Sequence, residues 1–431
     1  MGANRTGLRS RRMALVAIAT CLLIVGCTGS TTNHPVPPTT GQQRGIATPP
    51  ALTFSSPAAK YNEPSQPHPS SELGDTILAK VHELAVRAGR SSPTTDENLF
   101  IAATALASVV PEDGLLTFPL VQFAFQSNGV IEPSPHLLVM WGELGDPRGV
   151  ANTFQPRLEQ ILRQENISRV GVGAVVRGGG DYGVVVLGLL MSRARMSPIP
   201  RAMAVDDVVK LEFTVERGLK LPKVWFANPN GLVEKAHVHS SGDTFFASIA
   251  CGGMTGKMQV EIVESGEVLA RFPLWCGVDP PRTFKIVPRE NDVPNEPADA
   301  ERKIFEAVNR ERTKLGRPAL VWDAGVAKIA REHSLDMQRR NVVDSRLDGV
   351  TVSQRVRAIH VDLITTANVA RVYGVTEAFE GLLNSPSTRA PLISPEATQI
   401  GIGIVYGKEL AGRRELYITQ IVAVRSSEDS D

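Results

Sequence analysis

The chain is short of cysteine, of net charge and of long apolar runs, and each shortage excludes something. Four cysteines stand in 431 residues, at 21, 27, 251 and 276, and none forms a CxxC pair or sits in a Cys/His set that would hold a metal. Lys and Arg number 46 against 45 Asp and Glu, a formal charge of +1 with the signs well mixed, which excludes an electrostatic nucleic-acid binder. The main apolar stretch, MALVAIATCLLIVG, is 14 residues and too short for a comfortable membrane span. No GxSxG elbow, HExxH, P-loop or GxGxxG fingerprint occurs in a supporting context, and RGGGDYG is a turn with no helix after it to bind phosphate. What is present is enough length for roughly two or three domains and 42% hydrophobic residues to build their cores.

The N-terminus carries an address. Arg5, Arg9, Arg11 and Arg12 precede the apolar stretch, which ends in Ile24-Val25-Gly26-Cys27. This resembles a bacterial lipoprotein lipobox. The resemblance implies a signal peptide over 1–26, cleavage before Cys27 and acylation of its thiol, with palmitate-type chains anchoring the protein to a membrane. An ordinary secretory signal that happens to contain cysteine is the alternative. Thr28, rather than Asp, follows the anchoring cysteine and favours the outer membrane if enterobacterial sorting rules apply. Residues 27–72 are rich in Pro, Thr, Ser and Gly without apolar period and read as a disordered tether. His34 and His68 in it have no partner in sight and receive no role.

Residues 73–195 read as an α+β domain. ILAKVHELAVRAG puts Ile77, Val81, Leu84 and Val86 on a stripe that Gly89 can end; ENLFIAATALASVV and residues 154–163 repeat the helical signal. RVGVGAVV and GVVVLGLL around a glycine-rich turn read as a hairpin. After a basic connector at 191–203, residues 205–280 break into short β-branched and aromatic runs separated by glycine turns, the pattern of a small β-sandwich. Cys251 and Cys276, each at a strand end, are most simply a disulfide in an oxidising compartment; a metal pair or two free thiols are the alternatives. The bridge would close a loop of 25 residues, worth about 3 kcal/mol by chain entropy. His237 and His239 share one face of an extended strand but lack a third ligand. Residues 281–296 form a proline-marked linker.

From 297 to 425 the pattern turns helical, then extended. VNRERTKLGRPALVWDAGVAKIAREHSLDMQRR, then NSPSTR, then QIGIGIVYG and ELYITQIVA resemble bacterial CAP domains, the superfamily of cysteine-rich secretory, antigen 5 and pathogenesis-related (SCP-like) proteins. The resemblance covers under a third of the chain. It implies an α-β-α sandwich, hence an α+β multidomain protein overall. Family members often carry two histidines and two acids around a cavity, a set suited to zinc or acid–base chemistry. Position by position, this chain departs from the set. Asp344 or Ser345 stands where the first histidine should fall. Ala367 precedes Asn368 where an acid is usual, and Thr388 replaces the second histidine. Threonine cannot titrate near neutral pH. These five degenerate positions are the candidate binding residues, with no catalytic residue, metal or cofactor assigned. The first unit could echo the same scaffold, since TDENLFIAATALASVV parallels WDAGVAKIAREHSLDM.

Three functions follow. The first is a cell-envelope lipoprotein, extracytoplasmic, whose CAP-like domain is a non-enzymatic binding or interaction module for a protein, glycan or lipid. The second is apolar-ligand binding in a cavity lined around Leu363, Val369 and Val372. The third is residual hydrolase or metal-dependent activity through Asp344, His333 or His360.

Overall fold

The structure is a computed structural model that describes residues 20–21, 51–63, 71–111, 114, 116–133, 135–177, 180–287, 292–410 and 413–425. Cys27, His34 and His68 lie outside the described residues. No described helix is long and apolar enough to cross a membrane.

The first unit begins with α1 (Glu72–Arg87), which Ser71 caps by accepting from the Gly74 N–H. Ile77, Val81 and Leu84 are buried along it. Val86, expected on the same stripe, is 65% exposed; two residues beyond Leu84 it has rotated to the far side. Helices α2 (Glu97–Val109), α3 (Phe118–Ser127) and α4 (Pro147–Gln164) follow. The sheet runs in the order Thr94–Thr95, Arg169–Val176, Tyr182–Leu190, His136–Glu143. One apolar cluster joins α2 and α3 to one face, a second joins α1 and α4 to the other, so the unit has three layers.

The sandwich is wider than expected. Its first sheet runs Val238–Ser241, Thr244–Ala250, Val208–Val215, Ala194–Met196, so a strand from the connector belongs to it. Val209, Leu211 and Phe213 turn inward while Lys210 and Glu212 face out. The second sheet runs Val233–Ala236, Lys223–Ala227, Gly256–Glu264, Glu267–Cys276. Cys251 and Cys276 form a disulfide, Cα to Cα 5.9 Å. The dipeptide Thr20–Cys21 lies between Glu267–Cys276 and the last unit's sheet in the strand order.

Residues 51–63, expected to be part of a disordered tether, are instead a fixed strap. Ala51–Thr53 pairs antiparallel with Thr283–Lys285, and Lys60–Tyr61 pairs with Ile199–Pro200. Tyr61 is fully buried against Phe272, and Phe54 packs on Phe123. Burial of these rings offsets the ordering entropy that composition alone weighs against the segment. Burial also pushes the Tyr61 hydroxyl up to about 12.

The last unit contains α5 (Pro297–Lys314), α6 (Ala324–Arg340), α7 (Val352–Arg357), α8 (Val375–Asn384) and α9 (Pro386–Ile393). Its sheet order is Val321–Trp322, Gln399–Leu410, Arg413–Arg425, Leu363–Val372. Helices α5, α8 and α9 cover one face, α6 and α7 the other, the α-β-α sandwich expected. Asp323 caps α6 by accepting from Val326 N–H at 2.9 Å. The Ile-Gly-Ile-Gly run explains how α6 docks. Ile400, Ile402 and Ile404 fill the α5 face. Gly401 and Gly403 point the other way, where a Cβ would lie 2.4 Å from Ala327 N and 2.1 Å from Arg331 N. The helix backbone therefore rests directly on the sheet.

Arg312, from the Asn-Arg-x-Arg run, is a structural tie. Its fully buried guanidinium donates to the carbonyls of Pro318 (2.6 Å), Leu392 (2.7 Å), Ser394 (2.9 Å) and Ala397 (3.2 Å). These include the end of α9, whose last carbonyls have no partner within the helix.

Candidate functional site

The NSPSTR segment breaks one helix and starts another. Val375–Asn384 ends, Ser385 turns extended, and Pro386 opens α9 with its fixed φ at the first helical position. Thr388 lies in the first turn, fully buried. Its hydroxyl donates to Leu382 O at 2.7 Å, near Ser385 O at 3.1 Å, so it satisfies the end of α8. Its carbonyl accepts from Asn368 Nδ2 at 3.2 Å, and Asn368 Nδ2 also reaches Gln420 Oε1 at 3.1 Å. Asn368 Oδ1 and Gln420 Nε2 are buried without a partner among the described residues.

The five sequence-predicted positions are not one cluster. Asn368 and Thr388 meet on the face covered by α9. Ala367, one residue along the strand, points to the opposite face and packs with Val326, Ile329 and Val356. Asp344 is exposed. Its carboxylate accepts from Arg346 N–H at 2.8 Å, and its carbonyl lies 2.8 Å from His333 Nε2. Ser345 is buried, its carbonyl accepting from Val352 N–H at 3.0 Å.

The candidate substitutes fare no better as a set. His333 is fully buried on α6, and burial pushes its imidazole below the usual range despite the hydrogen bond to Asp344. A neutral ring donating from Nε2 leaves Nδ1 as an acceptor, and Nδ1 has no partner among the described residues. His360 sits beside Gly325 at the start of α6, its Nε2 3.0 Å from where a Cβ on that glycine would be. Both belong to the α6 layer, with the sheet between them and Thr388. Among the described residues no group of three or more His, Cys, Asp or Glu could hold a metal ion. His237 and His239 stack at 6.4 Å between ring centroids, with Phe246 next in the stack at 5.3 Å from His239.

The expected apolar cavity is filled. Leu363, Val369 and Val372 belong to three separate packed clusters, so they line no common space. An open groove of about 410 Å³ lies elsewhere, between the start of α5 and α6, with Leu335 and Val405 on its walls and the Glu301–Arg331 ion pair beside it.

What covers the Thr388 region is the sandwich. Glu261, fully buried, reaches α9 from strand Gly256–Glu264. Its Oε2 accepts from Ser387 N–H at 3.0 Å and from Ser387 Oγ at 2.6 Å. Its Oε1 accepts from Arg271 Nε at 2.6 Å. Arg389, two residues on, donates to Gly231 O of the sandwich at 2.8 Å and to Glu311 of α5 at 2.6 Å. A carboxylate at a helix N-terminus is favoured by the free N–H groups and the helix dipole. The neighbours of Thr388 on either side, Ser387 and Arg389, are thus the joint between two domains. Nothing in the sequence flags Glu261, which is 126 residues from Ser387.

Comparison with known proteins gives a family match within the last unit. Residues 305–422 match the family model for CAP, the cysteine-rich secretory protein family. A stretch of 109 residues is 33% identical to the uncharacterized membrane protein YlbC of Bacillus subtilis (strain 168), covering 24% of this chain and 31% of that protein. The chain therefore spans about a third of the length of this curated relative. Among solved structures, an outer surface protein from Borrelia burgdorferi is similar with a TM-score of 0.27 and 20% identity, over 30% of this chain and 96% of that one. An extracellular protein containing a SCP domain from Bacillus anthracis gives a TM-score of 0.27 and 15% identity, over 54% and 85%.

Proposed function

We propose, from the premise that residues 305–422 form a CAP domain, that this chain is a lipid-anchored envelope protein whose CAP domain works as a binding scaffold without catalysis. One observation carries the reading. Ser387 and Arg389 flank the position where relatives place a histidine, and both are consumed in holding the sandwich. Thr388 between them is fully buried and bonded to α8. A substrate would have to displace a domain to reach it. The lipid anchor rests on the basic residues, the apolar stretch and Cys27. The partner would be a protein, a glycan or a lipid met outside the cytoplasm, where the Cys251–Cys276 bridge is stable.

Two measurements test this. Calorimetric titration of the non-lipidated chain with zinc should show no stoichiometric binding in the submicromolar range. A single tight site, lost on changing His333 or Asp344, would restore the metal-dependent alternative. Cys27→Ser should move the protein from the membrane to the soluble fraction and abolish acyl labelling. Retention in the membrane without label would refute the anchor.

A further inference from the structure

Strands Gly256–Glu264 and Glu267–Cys276 set three rows side by side: Lys257 opposite Trp275, Gln259 opposite Pro273, Glu261 opposite Arg271. Met258, Val260 and Ile262 alternate with the first members and are buried in the sandwich core. The three rows therefore project from the other face of the sheet, the one that meets α9. The Glu261–Arg271 row is satisfied by Ser387 and by its own ion pair. The two rows beyond it are not. Gln259 is 7% exposed, and its Nε2 is buried with no partner among the described residues. Trp275 Nε1 is likewise buried with no partner among the described residues. Lys257 reaches solvent, but its surroundings are crowded. Burial, and then the Arg271 guanidinium, lower its pKa, and no carboxylate acts against them.

The two buried groups without partners are donors, and so is the exposed Lys257 beside them. An indole N–H and an ammonium can only donate, and the Gln259 amide nitrogen donates too. Buried donors left without acceptors are costly, and native structures satisfy them with protein groups, ordered water or a bound ligand. A ligand that does so here brings acceptors, and the neighbouring Lys257 favours negative charge. Its charge is set by what remains free: Arg271 is committed to Glu261, which leaves Lys257 as the one uncompensated cation in the three rows.

We propose that Lys257, Gln259 and Trp275 form a binding site for a single carboxylate group carried by a ligand that approaches the sandwich beside α9. The carboxylate oxygens accept from the Gln259 amide and the Trp275 indole, and Lys257 balances the charge. Nothing in this site uses the CAP domain's degenerate positions, so it stands apart from the zinc titration.

The test uses the non-lipidated chain from Thr28 to Asp431, labelled with nitrogen-15. Its indole N–H signals are few, and Trp275→Phe assigns one of them. Acetate, added at constant ionic strength against sodium chloride, should shift the Trp275 indole signal saturably. Lys257→Gln should weaken that response by about tenfold or more, with Lys257→Arg retaining most of it. Thermal melting should be the same for all three, showing that the sandwich is intact. An equal response to chloride, no saturable response, or an unchanged response in Lys257→Gln would overturn the site. Inorganic phosphate binding more tightly than acetate would overturn the single-charge assignment.

Discussion

The first and last units share one plan and differ at one helix. Each starts with a helix, then a two-residue strand leading into a capped helix. In the first, Asp96 accepts from Leu99 N–H, and its own N–H reaches Val170 O. In the last, Asp323 accepts from Val326 N–H, and its N–H reaches Ile400 O. Both short strands pair parallel to a glycine-bearing strand, and both sheets follow the same order. The glycines do the same task. A Cβ on Gly173 would lie 2.0 Å from Thr104 N, as one on Gly403 would lie 2.1 Å from Arg331 N. The two units thus have the same sheet order and the same close approach of a helix to a glycine-bearing strand. The difference lies across the sheet. There α4 runs 18 residues straight through Pro156, whereas the last unit breaks at Ser385-Pro386 into α8 and α9. The break creates a fresh helix N-terminus, and that N-terminus is what Glu261 grips. The first unit meets the sandwich elsewhere, where Ile131 O accepts from Arg271 N–H and Arg271 O accepts from Gln126 Nε2; the break at Ser385-Pro386 gives the last unit a helix N-terminus for the same purpose.

The strongest way to break the comparison is at the glycines. Gly173→Val and Gly403→Val should each cost at least about 3 kcal/mol or prevent folding, because helix backbone cannot yield as a side chain can. Chemical denaturation would show it, and a mild effect in one unit would end the equivalence. Glu261→Ala should come next, at about 3–5 kcal/mol, since it leaves the Arg271 charge buried and unpaired. Paired with Ser387→Ala in a double-mutant cycle, it should show coupling of about 1–2 kcal/mol; additive effects would mean that the joint is held by other contacts.

The third prediction concerns pH. The folded state holds His333 below its ordinary value of 6.5. The unfolded chain therefore takes up the proton first, and stability falls as pH drops below about 6.5. His333→Gln should flatten this part of the melting profile while leaving the profile above neutral pH unchanged. The smallest effect is at the caps. Asp323→Ala should cost about 1 kcal/mol. Asp96→Ala should cost more, because Asp96 also pairs with Arg169 at 2.6 Å; equal costs would show that this ion pair contributes nothing.

Much of this architecture is legible along the chain. The caps at Asp323, the helical stripe of α6 and the Ile-Gly-Ile-Gly strand are local patterns, set by groups within a few residues of one another. Two elements of the first unit are not legible. His136–Glu143 is a short apolar run that periodicity cannot assign, and α3 mixes aromatic and β-branched residues of middling helix propensity. The candidate site was legible only as a departure. Thr388 stands where the resemblance expects a histidine, but the role of its neighbours Ser387 and Arg389 depends on Glu261 and Gly231, brought in by tertiary packing from a separate domain.

The strap at 51–63 has a mechanical consequence. The chain ahead of Ala51 joins the fold beside Thr283–Lys285, in the segment that leads from the sandwich to α5. Leu52 and Phe54 are buried in the same cluster as α2 and α3, with Phe284 and Ile286 against it, so a pull on that leading segment reaches the first unit's helices together with the segment that leads to α5. The strap thus ties the leading chain, the first unit and the exit from the sandwich into one junction that shares the load.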